Sequence, residues 1–440
     1  MSSMPSYPDR LEITPLRRPP SATVRVPGSK SITNRALVLA AQLSKGTDAE
    51  IHGALRCEDT DVMIECLRKL GHYVQTNWSL AKPLVVVNSG DHSDILGFNV
   101  QEADLYTANS GTTMRFLTAM VSRGCGRFRL DGTPRMRERP IEDLLLALQQ
   151  LGVNAYSENR NGRPPVVVEA NGLKGGSVRI KGNTSSQFLS ALLMVAPEAG
   201  ADVEIEVDGM LVSWPYVEMT VQLMHEAGYA VEVVTEPVFR FHIPRQHCYG
   251  MPPVSVEPDA SAASYFLAAA AISGGNVCVA GLGLESIQGD LRFVELLEQM
   301  GCRLLPNPFG LDLEGGPLRG IDADMNDISD TVMTLAAVAC FAEGPTTIRN
   351  VAHIRHKETD RLAALAAELR RVGAGVDEFA DGLTITPRPL HGAEIETYND
   401  HRMAMSMALI GLKVPGVVIK DPGCVAKTYP GFFADLEKLR

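Results

Sequence analysis

The sequence predicts an α/β (α+β) protein of two similar domains, each made of three repeated βαβαββ-type units. The main observation is a polar turn followed by a small-residue apolar helix, a pair that occurs six times. Successive turns lie 80, 74, 74, 71 and 70 residues apart, and this near-constant spacing indicates one repeated unit. The six turns are anchored at Ser31, Gly111, Ser185, Asp259, Asp330 and Asp400.

In each of the first five repeats an amphipathic second helix ends at a glycine, and strands follow it. Glycine is common at such an end because it adopts the left-handed backbone conformation without steric cost. Alternating β-branched runs such as PVVVE at 165–169 and VEVV at 231–234 then predict strands. One repeat is therefore helix, strand, helix, strand, strand. The glycine stops are Gly71, Gly152, Gly228, Gly301 and Gly373.

The domain boundaries follow from the last repeat, which ends inside its second helix and lacks closing strands. Two N-terminal runs, LEITPL at 11–16 and ATVRVP at 22–27, are strand-like and could complete it. This predicts a discontinuous domain of residues 1–27 plus 256–440 and an inserted domain of residues 28–255. A doubly wound sheet or a parallel barrel is the alternative, but neither explains paired strands between helices or a circular closure.

The composition is that of a soluble globular protein, with 440 residues, a net charge of −11 and 45% hydrophobic residues. The acidic balance argues against broad nucleic-acid binding. The longest apolar stretch, at 265–272, is far shorter than the ~20 residues of a membrane-spanning helix. No signal peptide is evident and the eight cysteines are scattered without a C-x-x-C pair, so we expect a cytoplasmic protein with reduced thiols.

The first polar turn places Lys30, Ser31 and Arg35 at a helix start, where free amides and the helix dipole favour an anion such as phosphate or carboxylate. It is not a Walker loop, because Ser29 and Val24 stand where that motif requires glycine. A helix that is merely capped is the alternative interpretation.

The second turn, NSGTTMR at 109–115, repeats the pattern and is followed by the arginine-rich segment PRMRERP at 134–140. Arg135, Arg137 and Arg139 alternate along what we expect to be an extended segment, with Pro140 starting the next helix. At least one of these arginines should therefore reach the region of the turns.

The third and fourth turns differ in their chemistry. Ser185, Ser186, Gln187 and Ser213 offer neutral hydrogen-bonding groups that suit sugar-like hydroxyls or a phosphate, although plain helix capping is the alternative. The fourth turn, around Asp259, carries small residues and no cation, so it is predicted to serve packing only.

The fifth and sixth repeats add carboxylates to the cations. A metal site at His353 and His356 is disfavoured because their neighbours are cationic and no Cys or His cluster completes a ligand set. Asp330 and Glu358 stand among cations, as expected for proton transfer on a phosphorylated or carboxylated molecule. Eight cations occupy equivalent loop positions: Lys30, Arg35, Arg115, Arg139, Lys357, Arg361, Arg402 and Lys427.

Over essentially the whole chain these residues resemble the 5-enolpyruvylshikimate-3-phosphate (EPSP) synthase family of 3-phosphoshikimate 1-carboxyvinyltransferases. The motifs occur in the family's order. They are PGSKSITNR at 27–35, NSGTTMR at 109–115, PRMRERP at 134–140, SSQ at 185–187, KETDR at 357–361, YNDHR at 398–402 and AKT at 426–428.

The resemblance implies the inside-out α/β barrel of enolpyruvyl transferases, with the active site in the cleft between two domains, no metal or organic cofactor, and a monomer acting in the shikimate pathway. The implied catalytic residues are Lys30, Asp330 and Glu358. Shikimate 3-phosphate would be bound by Lys30, Ser31, Arg35, Ser185, Ser186, Gln187, Ser213, Asp330, His353 and Lys357. Phosphoenolpyruvate would be bound by Lys30, Gly111, Arg139, Gln187, Arg361, Arg402 and Lys427.

Two departures from the family pattern are Phe116, where proline is common, and His353, where asparagine is common. Phe116 puts in question how phosphoenolpyruvate-mimicking inhibitors such as glyphosate bind. The nearest enzyme alternative is the transferase that acts on UDP-N-acetylglucosamine, which uses a catalytic loop cysteine for which Cys125 is the one candidate. A non-catalytic anion-binding scaffold is the alternative from another class.

Overall fold

The computed structural model describes residues 5–43, 47–88, 98 and 100–440. Its contacts divide the chain into two compact units. The discontinuous unit comprises Met1–Gly28 and Glu257–Arg440, and the inserted unit comprises Ser29–Val256. Each unit contains three of the helix-initiated repeats.

The elements follow in chain order. The N-terminal strands are β1 (Arg10–Glu12) and β2 (Ser21–Val24). The inserted unit contains α1 (Lys30–Ala40), β3 (Asp48–His52), α2 (Glu58–Lys69), β4 (Tyr73–Asn77), β5 (Leu84–Asn88), β6 (Glu102–Tyr106), α3 (Gly111–Met120), β7 (Cys125–Asp131), α4 (Glu142–Gln150), β8 (Asn154–Ser157), β9 (Val166–Asn171), β10 (Gly176–Lys181), α5 (Ser186–Val195), β11 (Val203–Asp208), α6 (Trp214–Glu226), β12 (Glu232–Val234), β13 (Arg240–Ile243) and β14 (Val254–Ser255). The discontinuous unit continues with α7 (Ala260–Ser273), β15 (Asn276–Ala280), α8 (Phe293–Met300), β16 (Arg303–Leu305), β17 (Gly310–Glu314), β18 (Asp322–Asp324), α9 (Val332–Ala339), β19 (Thr346–Arg349), α10 (Arg361–Arg371), β20 (Gly375–Phe379), β21 (Gly382–Thr386), β22 (Glu394–Ile395), α11 (His401–Gly411), β23 (Val418–Lys420) and α12 (Phe432–Leu436).

The predicted order of helix, strand, helix, strand, strand lacks one strand, whereas the predicted βαβαββ-type unit has the number that is observed. After the second helix come three strands, not two, and the third pairs in parallel with the first strand of the next repeat, as β6 does with β7 and β18 with β19. In the inserted unit β14 instead returns to pair in parallel with β3, which closes the three sheets of that unit into a ring. The linking strands β14, β18 and β22 have only two or three residues, so they carry little of the alternating pattern by which strands are recognised.

The N-terminal strands join two different sheets. Strand β1 pairs antiparallel with β23 and completes the sixth repeat, as predicted. Strand β2 pairs in parallel with β15 of the fourth repeat, so the prediction that both runs complete the sixth repeat is wrong for β2. The reason is topological, because β14 has turned back within the inserted unit and leaves the linking position of the fourth sheet to β2.

All five predicted glycine stops are confirmed. Their φ angles are 94° at Gly71, 86° at Gly152, 92° at Gly228, 113° at Gly301 and 102° at Gly373. All five lie in the left-handed region that side chains with a Cβ rarely adopt. The stops therefore fix where each second helix turns into a strand.

The apolar helices α7, α9 and α11 pack against one another in the core of the discontinuous unit. All their residues are buried except Ser273. A hydroxyl series joins them at similar distances from their N-termini, with Ser264 Oγ 3.2 Å from Thr334 Oγ1 and that atom 3.4 Å from Ser406 Oγ. The three helices therefore begin at the same end of the unit, where their dipoles favour anions. No helix within the described part of the chain is long and apolar enough to cross a membrane.

Candidate active site

In the inserted unit, serine caps fix the starts of α1, α3 and α5. The hydroxyl oxygens of Ser29, Ser110 and Ser185 accept hydrogen bonds from backbone amides two or three residues later. As a result Lys30, Gly111 and Ser186 are the first residues of the three helices. The predicted polar turns are thus helix N-termini. Capping and anion binding, the two interpretations of the first turn, both require such a helix start.

Lys30 lies beside a carboxylate that the sequence analysis did not single out. Its Nζ is 3.2 Å from Asp59 Oδ2, and Asp59 is buried in the first turn of α2. The Thr113 hydroxyl at the start of α3 donates to the Asp59 carbonyl oxygen over 3.4 Å. Asp59 therefore connects the first two turns and orients the Lys30 ammonium group.

Gly111 lies between two guanidinium groups. A Cβ at this position would lie 2.6 Å from Arg115 Nη1 and 2.7 Å from Arg139 Nη2. Arg139 is 4% exposed, and its Nη1 donates to the Asn109 carbonyl oxygen over 3.2 Å. We call Lys30, Gly111, Arg115 and Arg139 the Arg139 cluster.

The arginine-rich segment is not extended, contrary to the prediction. Residues Met136–Glu138 form a 3₁₀ helix, and α4 begins at Glu142 rather than at Pro140. The tight turn separates the arginine side chains: Arg135 pairs with Glu138, whereas Arg139 turns inward. The expectation that at least one arginine reaches the turns is nevertheless confirmed by Arg139.

Arg35 is almost completely buried and holds the repeats together. Its guanidinium donates to the Thr220 and Ser190 hydroxyls and to the backbone oxygens of Ser31 and Tyr216. One of its five N–H groups has no partner among the described residues. Burial lowers the pKa of Arg35 to about 10, so it remains cationic at neutral pH.

Phe116, a departure from the family pattern, packs on Arg35. The Arg35 guanidinium carbon lies 5.3 Å from the centre of the buried Phe116 ring. Helix α3 still begins at Gly111 with its Ser110 cap intact. The Gln187 amide reaches Thr112 Oγ1 over 3.4 Å, which joins the second and third turns. Ser213 precedes α6 with a left-handed φ of 53°.

In the discontinuous unit, three carboxylates surround one arginine. Arg361 is 1% exposed, and its Nε donates to Asp400 Oδ2 over 2.8 Å. Its Nη2 is 2.9 Å from Glu358 Oε2, and its Nη1 is 3.2 Å from Asp330 Oδ1. Burial alone would lower the pKa of Arg361, but the three carboxylates together raise it above its ordinary value. Arg361 is therefore a permanent cation.

Three further cations complete this group. Arg402 Nη2 is 2.8 Å from Asp330 Oδ2, Lys357 Nζ is 3.8 Å from Asp330 Oδ1, and Lys427 Nζ is 3.9 Å from Glu358 Oε1. We define the Arg361 cluster as Asp330, Lys357, Glu358, Arg361, Asp400, Arg402 and Lys427. Its four cations exceed its three carboxylates by one, so it favours an added anion.

His353 lies in the 3₁₀ helix Ala352–His356 and is 6% exposed. Burial, followed by the Lys357 charge, lowers the pKa of His353 from its ordinary 6.5 to about 3. The side chain is therefore neutral at pH 7 and can offer one donor and one acceptor. Within the described residues no group of three or more His, Cys, Asp or Glu side chains could hold a metal ion.

We expect His353 to make the protein less stable as the pH falls below 6.5. Between pH 6.5 and about 3 the unfolded chain binds a proton here that the folded protein does not, so folding is penalised. At about 1.4 kcal/mol per pH unit, the loss between pH 7 and pH 5 is about 2 kcal/mol. Urea unfolding of the His353→Asn variant should show this part of the pH dependence removed.

The matched control for this prediction is His391→Asn, because His391 is exposed. Its unfolding should keep the wild-type dependence on pH. Equal pH dependence in wild type and His353→Asn would contradict the prediction.

The fourth turn takes part in the site, so the prediction that it serves packing only is wrong. Asp259 caps α7, but Ser261 Oγ lies 3.4 Å from Arg402 Nη2 and accepts one of its hydrogen bonds. Ser261 also contacts the buried carboxylate of Asp290. The sequence identified neither Ser261 nor Asp290 as a site residue. A small polar residue such as Ser261 in the first turn of a helix normally indicates a cap.

Cys125 does not fit the role of a catalytic loop cysteine. It is the first residue of β7 and pairs with Asn171 of β9 in an antiparallel ladder. The alternative acceptor UDP-N-acetylglucosamine is therefore not favoured by this residue.

The chain is similar to known proteins over nearly its whole length. A family model described as EPSP synthase (3-phosphoshikimate 1-carboxyvinyltransferase) matches residues 17–436. A 3-phosphoshikimate 1-carboxyvinyltransferase from Nostoc punctiforme is 50% identical over 426 residues, which cover 97% of this chain and 98% of the relative. The same-named protein from a Marinomonas species is 48% identical, with coverage of 93% and 95%.

Solved structures support the fold. EPSP synthase from Acinetobacter baumannii superposes with a TM-score of 0.77 at 24% identity and covers 98% of each chain. The enolpyruvyl transferase NikO from Streptomyces tendae gives 0.76 at 21% identity, with coverage of 97% of this chain and 96% of that one. The predicted α/β fold of repeated units is confirmed by these likenesses.

Proposed function

The chain belongs to the EPSP synthase family, and we propose that it transfers the carboxyvinyl group of phosphoenolpyruvate to the 5-hydroxyl of shikimate 3-phosphate, releasing phosphate. The observation that carries this assignment is the Arg361 cluster, in which two proton-handling carboxylates share one guanidinium. Near-full-length identity to relatives named for this reaction supports the same assignment, and neither alternative function is favoured.

Asp330 and Glu358 differ in ways that suit two proton transfers. Asp330 is the more exposed, with a side chain 19% accessible, so it can meet the substrate hydroxyl. Glu358 is 8% accessible, between Arg361 and Lys427. We assign Asp330 as the base for the 5-hydroxyl and Glu358 as the acid at the methylene carbon.

The steps balance as an addition followed by an elimination. When phosphoenolpyruvate binds, its negative charge favours uptake of a proton from solvent by Glu358. Asp330 then takes the hydroxyl proton while the oxygen bonds to the central carbon of phosphoenolpyruvate, and Glu358 donates its proton to the methylene carbon, which becomes a methyl group. In the elimination Glu358 takes a proton back from that methyl group while the carbon–oxygen bond to phosphate breaks. Asp330 gives its proton to the departing phosphate, so both carboxyl groups return to the states they had before the addition. The cations stabilise the charge that develops on the departing phosphate.

The binding assignments extend this proposal to both clusters. For phosphoenolpyruvate we propose Lys30, Gly111 and Arg139 of the Arg139 cluster with Gln187, and Arg361, Arg402 and Lys427 of the Arg361 cluster. For shikimate 3-phosphate we propose the hydroxyls, amide and basic groups of Lys30, Ser31, Arg35, Ser185, Ser186, Gln187, Ser213, Asp330, His353 and Lys357. Arg35 would contribute its one remaining N–H and otherwise hold the helix starts.

We expect Gly111→Ala to weaken phosphoenolpyruvate binding. The added methyl carbon would stand 2.6–2.7 Å from two guanidinium nitrogens, so Arg139 must move. The KM for phosphoenolpyruvate should rise about tenfold, equivalent to about 1.4 kcal/mol, and inhibition by glyphosate should weaken with it. The KM for shikimate 3-phosphate should change less than twofold.

Steady-state kinetics with each substrate varied in turn test this expectation. Gly283→Ala is the control, since a Cβ there would have its nearest neighbour, Glu285 Oε1, at an ordinary 3.7 Å. An unchanged KM for phosphoenolpyruvate in Gly111→Ala would contradict the assignment of Arg139.

Three further proposals concern the domains, the oligomeric state and the cellular location of the protein. We propose that the two compact units are the two domains and that the chain acts as a monomer, as its resemblance to the family implies. Light scattering with and without substrates tests the oligomeric state. We also propose a cytoplasmic location, supported by eight cysteines that form no disulfide and of which five are buried.

The test of the function is phosphate release from the purified protein with phosphoenolpyruvate and shikimate 3-phosphate, without added metal. UDP-N-acetylglucosamine serves as the competing acceptor, and phosphoenolpyruvate alone as the blank. We expect release only with shikimate 3-phosphate. Release only with the nucleotide sugar, or none from a folded protein, would overturn the assignment.

A further inference from the structure

Besides its ion pair with Asp330, Arg402 contacts two hydroxyl groups of α7. Ser261 Oγ lies 3.4 Å from its Nη2, and Tyr265 Oη lies 3.4 Å from its Nη1. Ser261 and Tyr265 are four residues apart, so they occupy the same face of the helix on successive turns. Each guanidinium arm of Arg402 thus meets one hydroxyl oxygen.

The Arg402 guanidinium fixes the direction of these hydrogen bonds, because it can only donate. Asp290 lies in the 3₁₀ helix Gly289–Arg292, is 4% exposed, and contacts the Ser261 hydroxyl. Ser261 therefore accepts from Arg402 and uses its own proton to donate to Asp290 Oδ2. Burial raises the pKa of Tyr265 to about 12, which keeps its hydroxyl neutral.

Asp290 is itself fixed by the loop that precedes it. The Gln288 amide donates to the Pro258 carbonyl oxygen over 2.8 Å and to Glu257 over 2.9 Å, while its oxygen accepts from the Ala260 amide over 3.1 Å. Gln288 is buried and ties this loop to the start of α7. The spacing between Asp290 and Ser261 is therefore set by the fold.

We propose that Ser261, Tyr265 and Asp290 are positioning residues that orient the Arg402 guanidinium toward the phosphoenolpyruvate carboxylate. This inference rests on the proposed function and deepens it. A guanidinium held only by Asp330 at Nη2 could rotate with that carboxylate, whereas Tyr265 at Nη1 and Ser261 at Nη2 restrain both of its terminal nitrogens. Asp290 in turn holds the Ser261 hydroxyl.

A capping role alone makes a different prediction from a positioning role. The cap of α7 is the Asp259 carboxylate, which accepts from the Ala262 amide over 2.8 Å, so Ser261 is not needed to satisfy that amide. Loss of the Ser261 hydroxyl should therefore affect Arg402 rather than helix stability. The effect should fall on phosphoenolpyruvate and not on shikimate 3-phosphate.

The experiment compares Ser261→Ala, Ser261→Thr and Asp290→Asn with wild type, with each substrate varied in turn. We expect the KM for phosphoenolpyruvate to rise about tenfold in Ser261→Ala and Asp290→Asn, the KM for shikimate 3-phosphate to change less than twofold, and Ser261→Thr to recover most of the loss because it keeps a hydroxyl. Ser273→Ala removes a serine hydroxyl from the last turn of the same helix and is the matched control.

Two results would overturn the proposal. One is a wild-type KM for phosphoenolpyruvate in folded Ser261→Ala; the other is an equal rise in both KM values, which a general loosening of the unit would produce. If Asp290→Asn fails to fold, the comparison of Ser261→Ala with Ser261→Thr still tests the proposal. Failure of the proposed function is seen separately, because wild type itself would then release no phosphate with shikimate 3-phosphate.

Discussion

Replacing Glu358 by Gln should lower kcat by about 10²–10⁴-fold, the range expected when a positioned proton donor is lost. The amide has nearly the same shape as the carboxyl group, but it cannot deliver a proton to the methylene carbon or take one back. Phosphate release measures the overall loss. Incorporation of solvent deuterium at the methylene carbon of phosphoenolpyruvate isolates the step that we assign to Glu358, and it should fall in parallel.

The control for Glu358→Gln is Glu343→Gln, which makes the same chemical change at an exposed position of the same unit. It should turn over at the wild-type rate. If Glu358→Gln loses phosphate release but keeps wild-type deuterium incorporation, another group such as Asp330 or Lys427 must handle the methyl proton, and the assignment of Glu358 as the acid would be wrong.

Much of the fold could be predicted because its repeat is marked by local signals. A serine cap and a left-handed glycine are decided by the backbone within one turn of a helix, as at Ser110 and Gly152. Linking strands such as Asp322–Asp324 depend on pairing with a distant strand, and three residues show no periodicity. The place of β2 beside β15 likewise follows from where β14 pairs, which no local pattern records.

In the site, too, some residues are recognisable from the local sequence, whereas their partners are distant in sequence and are not. Lys30, Arg361 and Arg402 stand out as cations at helix starts, and the structure places each of them beside carboxylates. Asp59 does not stand out, and Asp400 stands out only as the anchor of a turn, because an acidic residue at a helix start is already explained by the cap and the dipole. Asp400 does cap α11, accepting from the Arg402 amide, while it also binds the Arg361 side chain.

Arg361→Gln should be the most destabilising change in the Arg361 cluster. Asp400, Glu358 and Asp330 all depend on this guanidinium, and Asp400 is completely buried. Removing one partner of a buried ion pair costs about 3–5 kcal/mol because a charge is left uncompensated. Urea unfolding should show a loss of that size, together with a large rise in the KM for phosphoenolpyruvate. Arg349→Gln, which breaks the exposed pair with Asp322, should leave the free energy of unfolding close to that of wild type.

Two further variants separate the effect of the Arg361 charge from that of its shape. In the double variant Arg361→Gln, Asp400→Asn the buried carboxylate that has lost its partner is neutral, so the double variant should be less destabilised than the sum of the two single variants. Arg361→Lys keeps a charge but cannot bridge three carboxylates with a rigid fork, and it should recover only part of the stability. If the single effects simply add, Arg361 and Asp400 do not stabilise each other, and the cluster is held together by packing instead of by its central guanidinium.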